Sequence, residues 1–156
     1  MSEPGPISTE RVVSPIGDML LQHDGTALLA LDFDNRDVSV TAGCSDFARA
    51  VRAYFAGDLH ALDALPVRVG GTPFETAVWQ TLRQIPVGET WSYAQLAKAL
   101  DRPKAVRAVG RANGRNPVAL VVPCHRVIGA DGRLVGYGGG LERKAWLLRH
   151  EGALVV

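Results

Sequence analysis

The sequence predicts a two-domain protein. A small α/β domain with an antiparallel sheet spans residues 1–70, and a mostly α-helical domain containing a helix-turn-helix spans residues 71–156. Short apolar segments alternate with turn residues in the first 40 residues, which predicts the sheet. Beyond residue 71, apolar residues recur at helical spacing behind capping motifs. Charge divides at the same place, with five Lys/Arg against ten Asp/Glu before it and twelve against six after it.

The first domain is expected to contain short antiparallel strands and one helix. Turn residues at 14–18 and 24–25 separate its apolar segments, as in successive hairpins. Ser45 to Ala56 carries apolar residues at helical spacing, and Gly57 is a suitable helix stop. The predicted strands are residues 12–13, 19–21, 27–33 and 67–69.

Capping motifs place the helices of the second domain. Thr72-Pro73-Phe74-Glu75 and Ser92-Tyr93-Ala94-Gln95 each have a hydroxyl followed three residues later by Glu or Gln, which is a capping box. Proline favours the first helical position, so Pro103 is expected to open a further helix. The predicted helices are residues 73 to about 85, 92–100, 103–113 and 141–151.

Two of these helices, 92–100 and 103–113, are separated by a very short turn and predict a helix-turn-helix. One face of the second helix is small, which lets the backbone approach a surface closely. The cations would bind phosphates, with salt-dependent affinity. The alternative is a solvated cationic helix packed by Val106 and Val109. The cations in and around this unit are Lys98, Arg102, Lys104, Arg107, Arg111 and Arg115, and the small residues include Ala105 and Ala108.

The segment Pro123-Cys124-His125-Arg126 is the main candidate for chemistry. Thiolate is the nucleophilic form of cysteine, and nearby positive charge favours it. The alternative is an ordinary strand, Val118 to Val122, that happens to end in cysteine. In an extended segment the adjacent cysteine and histidine side chains would diverge. Contact would then require a bridging water or a turn at Pro123, and Glu142 or Glu151 could orient the histidine.

A glycine-rich segment, residues 136–140, follows and contains Tyr137. It lacks the Gly-Lys-Ser/Thr ending of a nucleotide P-loop. A loop folded over a flat ring, with Tyr137 as its wall, is one interpretation, and a plain linker into the last helix is the other.

Several classes are not supported by the sequence. No apolar stretch approaches the roughly 20 residues of a membrane span. The first residues show no basic segment followed by an apolar one, so no secretory signal is expected, and the predicted location is cytoplasmic, nucleoid-associated in a bacterium. Cys44 and Cys124 lie far apart and are expected to be reduced. No Cys/His cluster predicts a metal site.

The second domain resembles the O6-alkylguanine-DNA alkyltransferases, also called methylated-DNA–protein-cysteine methyltransferases. The motifs that carry the resemblance stand in the family's order between about Gly71 and Gly152. They are Ile85-Pro86-x-Gly88-Glu89-x-x-Ser92-Tyr93, Arg107-Ala108-Val109-Gly110, Asn116-Pro117, Pro123-Cys124-His125-Arg126-Val127-Ile128 and Gly136-Tyr137-Gly138-Gly139-Gly140.

The resemblance implies a role for each matching position. Cys124 is similar to the alkyl acceptor, His125 to a base that acts through a bridging water, and Glu151 to the carboxylate that orients this histidine. Tyr93 resembles a tyrosine that donates to guanine N3 and crowds the 3′ phosphate. Asn116 resembles the residue that ties the helix-turn-helix to the active-site segment.

Contacts with DNA and with the damaged base are implied in the same way. Arg107 resembles the arginine finger that fills the gap left by a flipped nucleotide. The implied pocket has a Val127 carbonyl facing the guanine amino group and a Gly138 amide facing O6. The remaining implied DNA contacts are Lys104, Ala105, Ala108, Arg111 and Tyr93, and the remaining pocket residues are Pro123, Tyr137 and Gly139.

The implied function is DNA repair by irreversible, stoichiometric transfer of an alkyl group to Cys124 after base flipping. The substrate would be O6-alkylguanine in duplex DNA, with O4-alkylthymine left open, and the protein would need no cofactor or metal. A monomer is expected in solution, and several molecules could bind one DNA. The alternatives are a non-enzymatic alkyltransferase-like protein that only binds lesions and a thiol hydrolase that turns over.

Overall fold

The computed structural model describes residues 5–41 and 44–153, and the chain divides into two compact units at the Val69/Gly70 junction. The first unit contains a three-stranded antiparallel sheet and one helix, and the second unit is mostly helical. The predicted fold class is confirmed. Within the described ranges, no helix has the length and hydropathy that a membrane crossing would require.

The first unit packs one helix with a β-meander. Its strands are β1 (Ser8–Val12), β2 (Met19–His23) and β3 (Leu28–Phe33), in the spatial order β1-β2-β3. The helix α1 (Asp46–Phe55) begins behind Ser45, whose hydroxyl accepts a hydrogen bond from the Ala48 amide. The predicted strand at residues 67–69 is reduced to a single bridge between Leu28 and Val67.

The second unit is built from four helices, a one-turn 3₁₀ helix and a minimal parallel sheet. Both predicted capping boxes are closed, at Thr72/Glu75 and at Ser92/Gln95. The elements are α2 (Pro73–Leu82), β4 (Trp91–Ser92), α3 (Tyr93–Ala99), α4 (Val106–Gly114), the 3₁₀ turn Cys124–Arg126, β5 (Val127–Ile128) and α5 (Leu141–His150).

The start of α4 differs from the prediction, because the helix begins at Val106 and not at Pro103. Asp101 adopts a left-handed conformation, φ 58°, and the amides of Asp101 and Arg102 donate to the carbonyls of Lys98 and Ala97. This is a Schellman motif that ends α3, and it commits the chain to a further turn before a new helix can start. Lys104 and Ala105 therefore lie in the connection that precedes α4.

The apolar run before Cys124 is also different from the alternative interpretation, because it is not a strand. Leu120 has φ 70°, and the amides of Val121 and Val122 donate to Ala119 and Val118. The run forms consecutive turns in which residues 118–122 are all buried. Cys124 therefore follows a buried turn and stands at the start of a new element, the 3₁₀ helix.

Candidate active site

Pro123 redirects the chain into a short 3₁₀ helix that carries the three residues of the central motif. The Arg126 amide donates to the Pro123 carbonyl at 3.0 Å, which closes the turn. His125 is fully buried, and 8% of Cys124 is exposed. A 3₁₀ turn places consecutive side chains about 120° apart, compared with about 180° in an extended segment, so Cys124 and His125 diverge less than they would in a strand.

The His125 imidazole is paired with a carboxylate from the end of α5. Its Nε2 lies 2.8 Å from Oε2 of Glu151, and both side chains are inaccessible to solvent. Glu142, the other acid considered from sequence, is exposed in the first turn of the same helix. Residues 125 and 151 meet because α5 packs on the 3₁₀ turn, and Leu147 and Leu148 of α5 are buried.

The charges of this pair are fixed by their surroundings. Burial raises the pKa of Glu151, but hydrogen bonds and charges from His125 and Arg126 outweigh burial and hold that pKa below its ordinary value. Burial lowers the pKa of His125 below 6.5 in spite of the hydrogen bond that its Nε2 donates to Glu151. The site therefore holds an ionised carboxylate beside a neutral imidazole at neutral pH.

This protonation state defines which histidine nitrogen is basic. A carboxylate only accepts hydrogen bonds, so Nε2 must carry the imidazole proton and Nδ1 must carry the lone pair. Nδ1 is buried and has no hydrogen-bond partner among the residues that the structure describes. A buried basic nitrogen is thus presented one residue away from a cysteine.

Arg126 has a position that the sequence does not reveal. Its guanidinium donates from Nε and Nη2 to the two oxygens of Glu151, at 2.8 and 3.0 Å, and from Nη1 to the Ile85 carbonyl at 2.7 Å. The sequence alone identifies Arg126 only as a positive charge near the thiol of Cys124. Each of the three nitrogens of this buried guanidinium donates one hydrogen bond, and the two bonds to Glu151 fix the carboxylate that faces His125.

Asn116 connects the end of α4 to the turn that holds the cysteine. Its Nδ2 donates to the Val122 carbonyl at 2.7 Å, and its Oδ1 accepts from the Val118 amide at 2.9 Å. Both ends of the apolar turns are thereby tied to one side chain. This geometry couples the helix-turn-helix to the cysteine segment.

Tyr93 is the first residue of α3 and contacts the segment that precedes the glycine-rich loop. The short parallel pairing of β4 with β5 brings the start of α3 beside Val127. The Tyr93 hydroxyl donates to the Val135 carbonyl at 3.4 Å, and its ring lies close enough to Gly110 that a Cβ there would approach to 3.7 Å. Burial raises the pKa of Tyr93, and the charge of Cys124 adds to the effect.

The glycine-rich loop leads directly into α5. Gly136 and Gly140 have φ of 52° and 93°, and the Gly140 amide donates to the Tyr137 carbonyl. Tyr137 and Gly139 are partly buried, whereas Gly138 is exposed. A Cβ added at Gly138 would meet nothing within 4 Å, so space is open at this position.

The cationic residues lie on the exposed side of the helix-turn-helix. Arg107 and Arg111 are exposed on α4, and Ala108 between them is partly buried. A concave surface of about 500 Å³ lies just before α4, where its lining residues are Arg102, Pro103, Lys104 and Ala105. In residues 5–41 and 44–153, no three His, Cys, Asp or Glu side chains are grouped as a metal site would require.

A cysteine beside a buried His125–Glu151 pair, in the same compact unit as a helix-turn-helix, defines the class of protein. The chain belongs to the 6-O-methylguanine DNA methyltransferase family, because the family model for the DNA binding domain matches residues 73–153. The resemblance noted from sequence is confirmed.

Similar proteins agree with this assignment. Methylated-DNA–protein-cysteine methyltransferases of Shigella flexneri and Methanosarcina acetivorans are 59% and 44% identical over 68% and 90% of this chain. The match spans 62% of the length of the Shigella protein and 95% of the Methanosarcina protein. The crystal structure of Mycobacterium tuberculosis O6-methylguanine methyltransferase is 39% identical, with a TM-score of 0.82 over 95% of this chain and 94% of that chain. A structure of the Mycobacterium tuberculosis protein in complex with DNA is 41% identical, with the same TM-score over 93% of this chain and 92% of that chain.

Proposed function

We propose that this protein repairs alkylated DNA by moving an alkyl group from O6 of guanine to Cys124, once per protein molecule. The observation that carries the proposal is the buried Nδ1 of His125, which is left basic by the bond from Nε2 to Glu151. A neutral imidazole beside a cysteine is the arrangement that activates a thiol. The relatives named as methylated-DNA–protein-cysteine methyltransferases support the same reaction.

The reaction follows from these positions. His125 takes the thiol proton through a bridging water, and Glu151 stabilises the imidazolium that forms. The Cys124 thiolate then attacks the alkyl carbon, so that an S–C bond forms while the C–O6 bond breaks. The electron pair of that bond leaves with guanine, and the Tyr93 hydroxyl donates a hydrogen bond to N3, which stabilises the negative charge on the departing base until that base takes up a proton from water. The product thioether has no easy reverse reaction, which makes the protein a single-use reagent.

Duplex DNA is the proposed partner, and the helix-turn-helix is the proposed binding surface. The lesion must leave the base stack to reach a cysteine of which only 8% is exposed. Exposed Arg107 on α4 is suited to fill the gap, while Lys104 and Arg111 are suited to bind phosphates. Ala105 and Ala108 allow α4 to approach the DNA closely. The proposed state is a cytoplasmic monomer, several of which could occupy one DNA.

The proposed pocket lies between the 3₁₀ turn and the glycine-rich loop. Tyr137 would form a wall beside Pro123 and Gly139, the Val127 carbonyl would accept from the guanine amino group, and the Gly138 amide would face O6. The open space at Gly138 favours tolerance of alkyl groups larger than methyl. Rates of methyl and benzyl transfer should therefore be similar in order, and Gly138→Ser should slow benzyl transfer selectively. Complete refusal of benzyl by the unmodified protein would contradict this.

Intact-mass measurement after incubation with O6-methylguanine duplex DNA tests the reaction directly. The protein should gain one methyl group per chain and then stop. Cys124→Ser should gain nothing, and Cys44→Ser should behave like the unmodified protein because Cys44 is exposed in the other unit. Lesion binding without mass gain would favour the non-enzymatic alternative, and continued turnover beyond one equivalent would favour a thiol hydrolase.

A further inference from the structure

Lys144 is a buried positive charge that the reaction described above does not use. It lies in the middle of α5 and is fully inaccessible to solvent. Its Nζ donates to the carbonyls of Val135 and Gly136, at 2.7 and 3.3 Å. In the described part of the chain, none of the ion pairs includes Lys144. Burying an ammonium without a counter-charge is costly, so such a residue needs a reason to be there.

The interacting groups around Lys144 are those of the proposed active site. Burial lowers the pKa of Lys144 to about 8, and attraction to Cys124 is the one opposing effect. The charges of Arg126 and Lys144 both help to lower the pKa of His125. Tyr93 shares the Val135 carbonyl with Lys144. The only carboxylate in this cluster, Glu151, is already committed to His125 and Arg126.

We propose that Lys144 is a positioning residue for alkyl transfer, whose ammonium supplies the counter-charge for the Cys124 thiolate and anchors the Val135–Gly136 turn ahead of Tyr137. The inference rests on the proposed function only for its consequence for repair. The charge balance itself is a property of the protein without DNA.

The chemistry explains why such a charge is useful. Deprotonation of the thiol by His125 creates an anion in a buried site, and a positive charge nearby lowers the cost of that anion. When the S–C bond forms, the sulfur becomes neutral and this pairing ends. Lys144 thus acts on the nucleophile before transfer, whereas Tyr93 acts on the departing base.

The decisive experiment measures the thiol without any DNA. In a Cys44→Ser background, Cys124 is the remaining thiol, and its thiolate displaces iodide from iodoacetamide. The alkylation rate across pH therefore reports the ionisation of that thiol. Lys144→Met keeps the length and removes the charge. Its midpoint should move upward by about one pH unit or more. Arg149→Met, at an exposed position of the same helix, is the matched control and should leave the midpoint unchanged.

The result for repair follows from the same variants. Single-turnover methyl transfer by Lys144→Met at pH 7 should fall by about tenfold or more, and higher pH should restore part of the loss. Lys144→Arg keeps a positive charge and should retain the thiol midpoint, even where a changed loop slows benzyl transfer. An unmoved midpoint in a folded Lys144→Met protein would overturn the inference, whether or not methyl transfer occurs.

A second measurement avoids the risk that Lys144→Met does not fold. Lysine side-chain NMR on the Cys44→Ser protein gives the titration of Lys144, assigned with Lys144→Arg. Capping Cys124 with methyl methanethiosulfonate should lower the titration midpoint of Lys144, because the sulfur can no longer ionise. The same midpoint before and after capping would show that the two groups do not interact, and the proposal would fail while the proposed function could stand.

Discussion

Each unit of this protein contains a buried glutamate paired with a histidine, and the two pairs differ in what the second imidazole nitrogen contacts. In the first unit, His23 Nε2 lies 3.0 Å from Glu10, and its Nδ1 accepts from the Gly25 amide at 3.0 Å. In the second unit, His125 Nε2 lies 2.8 Å from Glu151, and its Nδ1 has no partner among the described residues. A histidine with both nitrogens satisfied is structural, and one with a basic nitrogen left over beside a cysteine is suited to catalysis.

The partners of the two carboxylates strengthen this contrast. Glu10 accepts from the amide and hydroxyl of Ser45, which ties β1 to the start of α1. Glu151 is held on both oxygens by Arg126. The first arrangement joins two elements of the fold, while the second keeps a charge in place beside a proton acceptor. The similarity of the two pairs makes each a control for the other.

The sharpest test replaces each histidine by an isosteric amide. His125→Gln should slow single-turnover methyl transfer at neutral pH by on the order of 10²- to 10⁴-fold, because general-base assistance is lost. His23→Gln should leave the rate within about twofold. Equal rates for the two variants would remove the functional distinction between the pairs.

The glutamates should differ in stability as well. Glu151→Gln leaves the buried Arg126 without its counter-charge and should lower the free energy of unfolding by about 3–5 kcal/mol. Glu10→Gln keeps an oxygen for the Ser45 amide, so its cost should be about 1–2 kcal/mol. Urea unfolding at pH 7 measures both. A greater loss for Glu10→Gln would show that the first unit depends more on its pair than the contacts indicate.

Charge provides the next comparison, because residues 71–156 are basic and residues 1–70 are acidic. Arg111→Ala on α4 should lower the magnitude of the slope of log affinity against log salt concentration by about one. Arg49→Ala, an exposed helical arginine of the first unit, is the matched control and should not change the slope. Equal effects of Arg111→Ala and Arg49→Ala on this slope would place the DNA elsewhere.

Arg107→Ala should reduce methyl transfer more than it reduces binding.

The pH dependence of stability should be the smallest effect. The pKa of His125 is lower in the folded chain than its ordinary value of 6.5, so below that pH the unfolded chain binds more protons. The contribution is fully present above about pH 6.5 and is lost as pH falls through the lowered pKa of His125. Unfolding at pH 7 and pH 5.5 should show a smaller decrease for His125→Gln than for the unmodified protein. An identical decrease would mean that other groups control it.

Local signals determine how much of this molecule could be predicted. The capping boxes at Thr72 and Ser92 fix their helix starts because the side chain and the amide it binds are three residues apart. The predicted start of α4 was wrong because Asp adopts the left-handed conformation only occasionally, so the residue type at Asp101 does not by itself predict the turn. A strand over Val118 to Val122 is a possible interpretation of the sequence, because buried turns of apolar residues have the same composition as a buried strand.

The site was predictable where it is contiguous and hidden where it is not. Cys124 and His125 adjoin in sequence, so their chemistry could be inferred from four letters. The hydrogen bonds of Arg126 reach Glu151, 25 positions away in sequence, and Ile85, 41 positions away. The spacing of residues along the sequence does not predict these contacts. It does not predict the hydrogen bonds from Lys144 to the preceding loop either. Only tertiary packing brings these groups together.

The last helix has a consequence for redesign of this protein. Through Lys144, α5 holds the loop that would enclose an incoming base, and through Glu151 it sets the orientation of the imidazole. A single helix therefore positions both the loop around the proposed pocket and the proposed base. Substitutions meant to admit larger alkyl groups without lowering the reactivity of Cys124 should therefore be made in the glycine-rich loop, with α5 left unchanged.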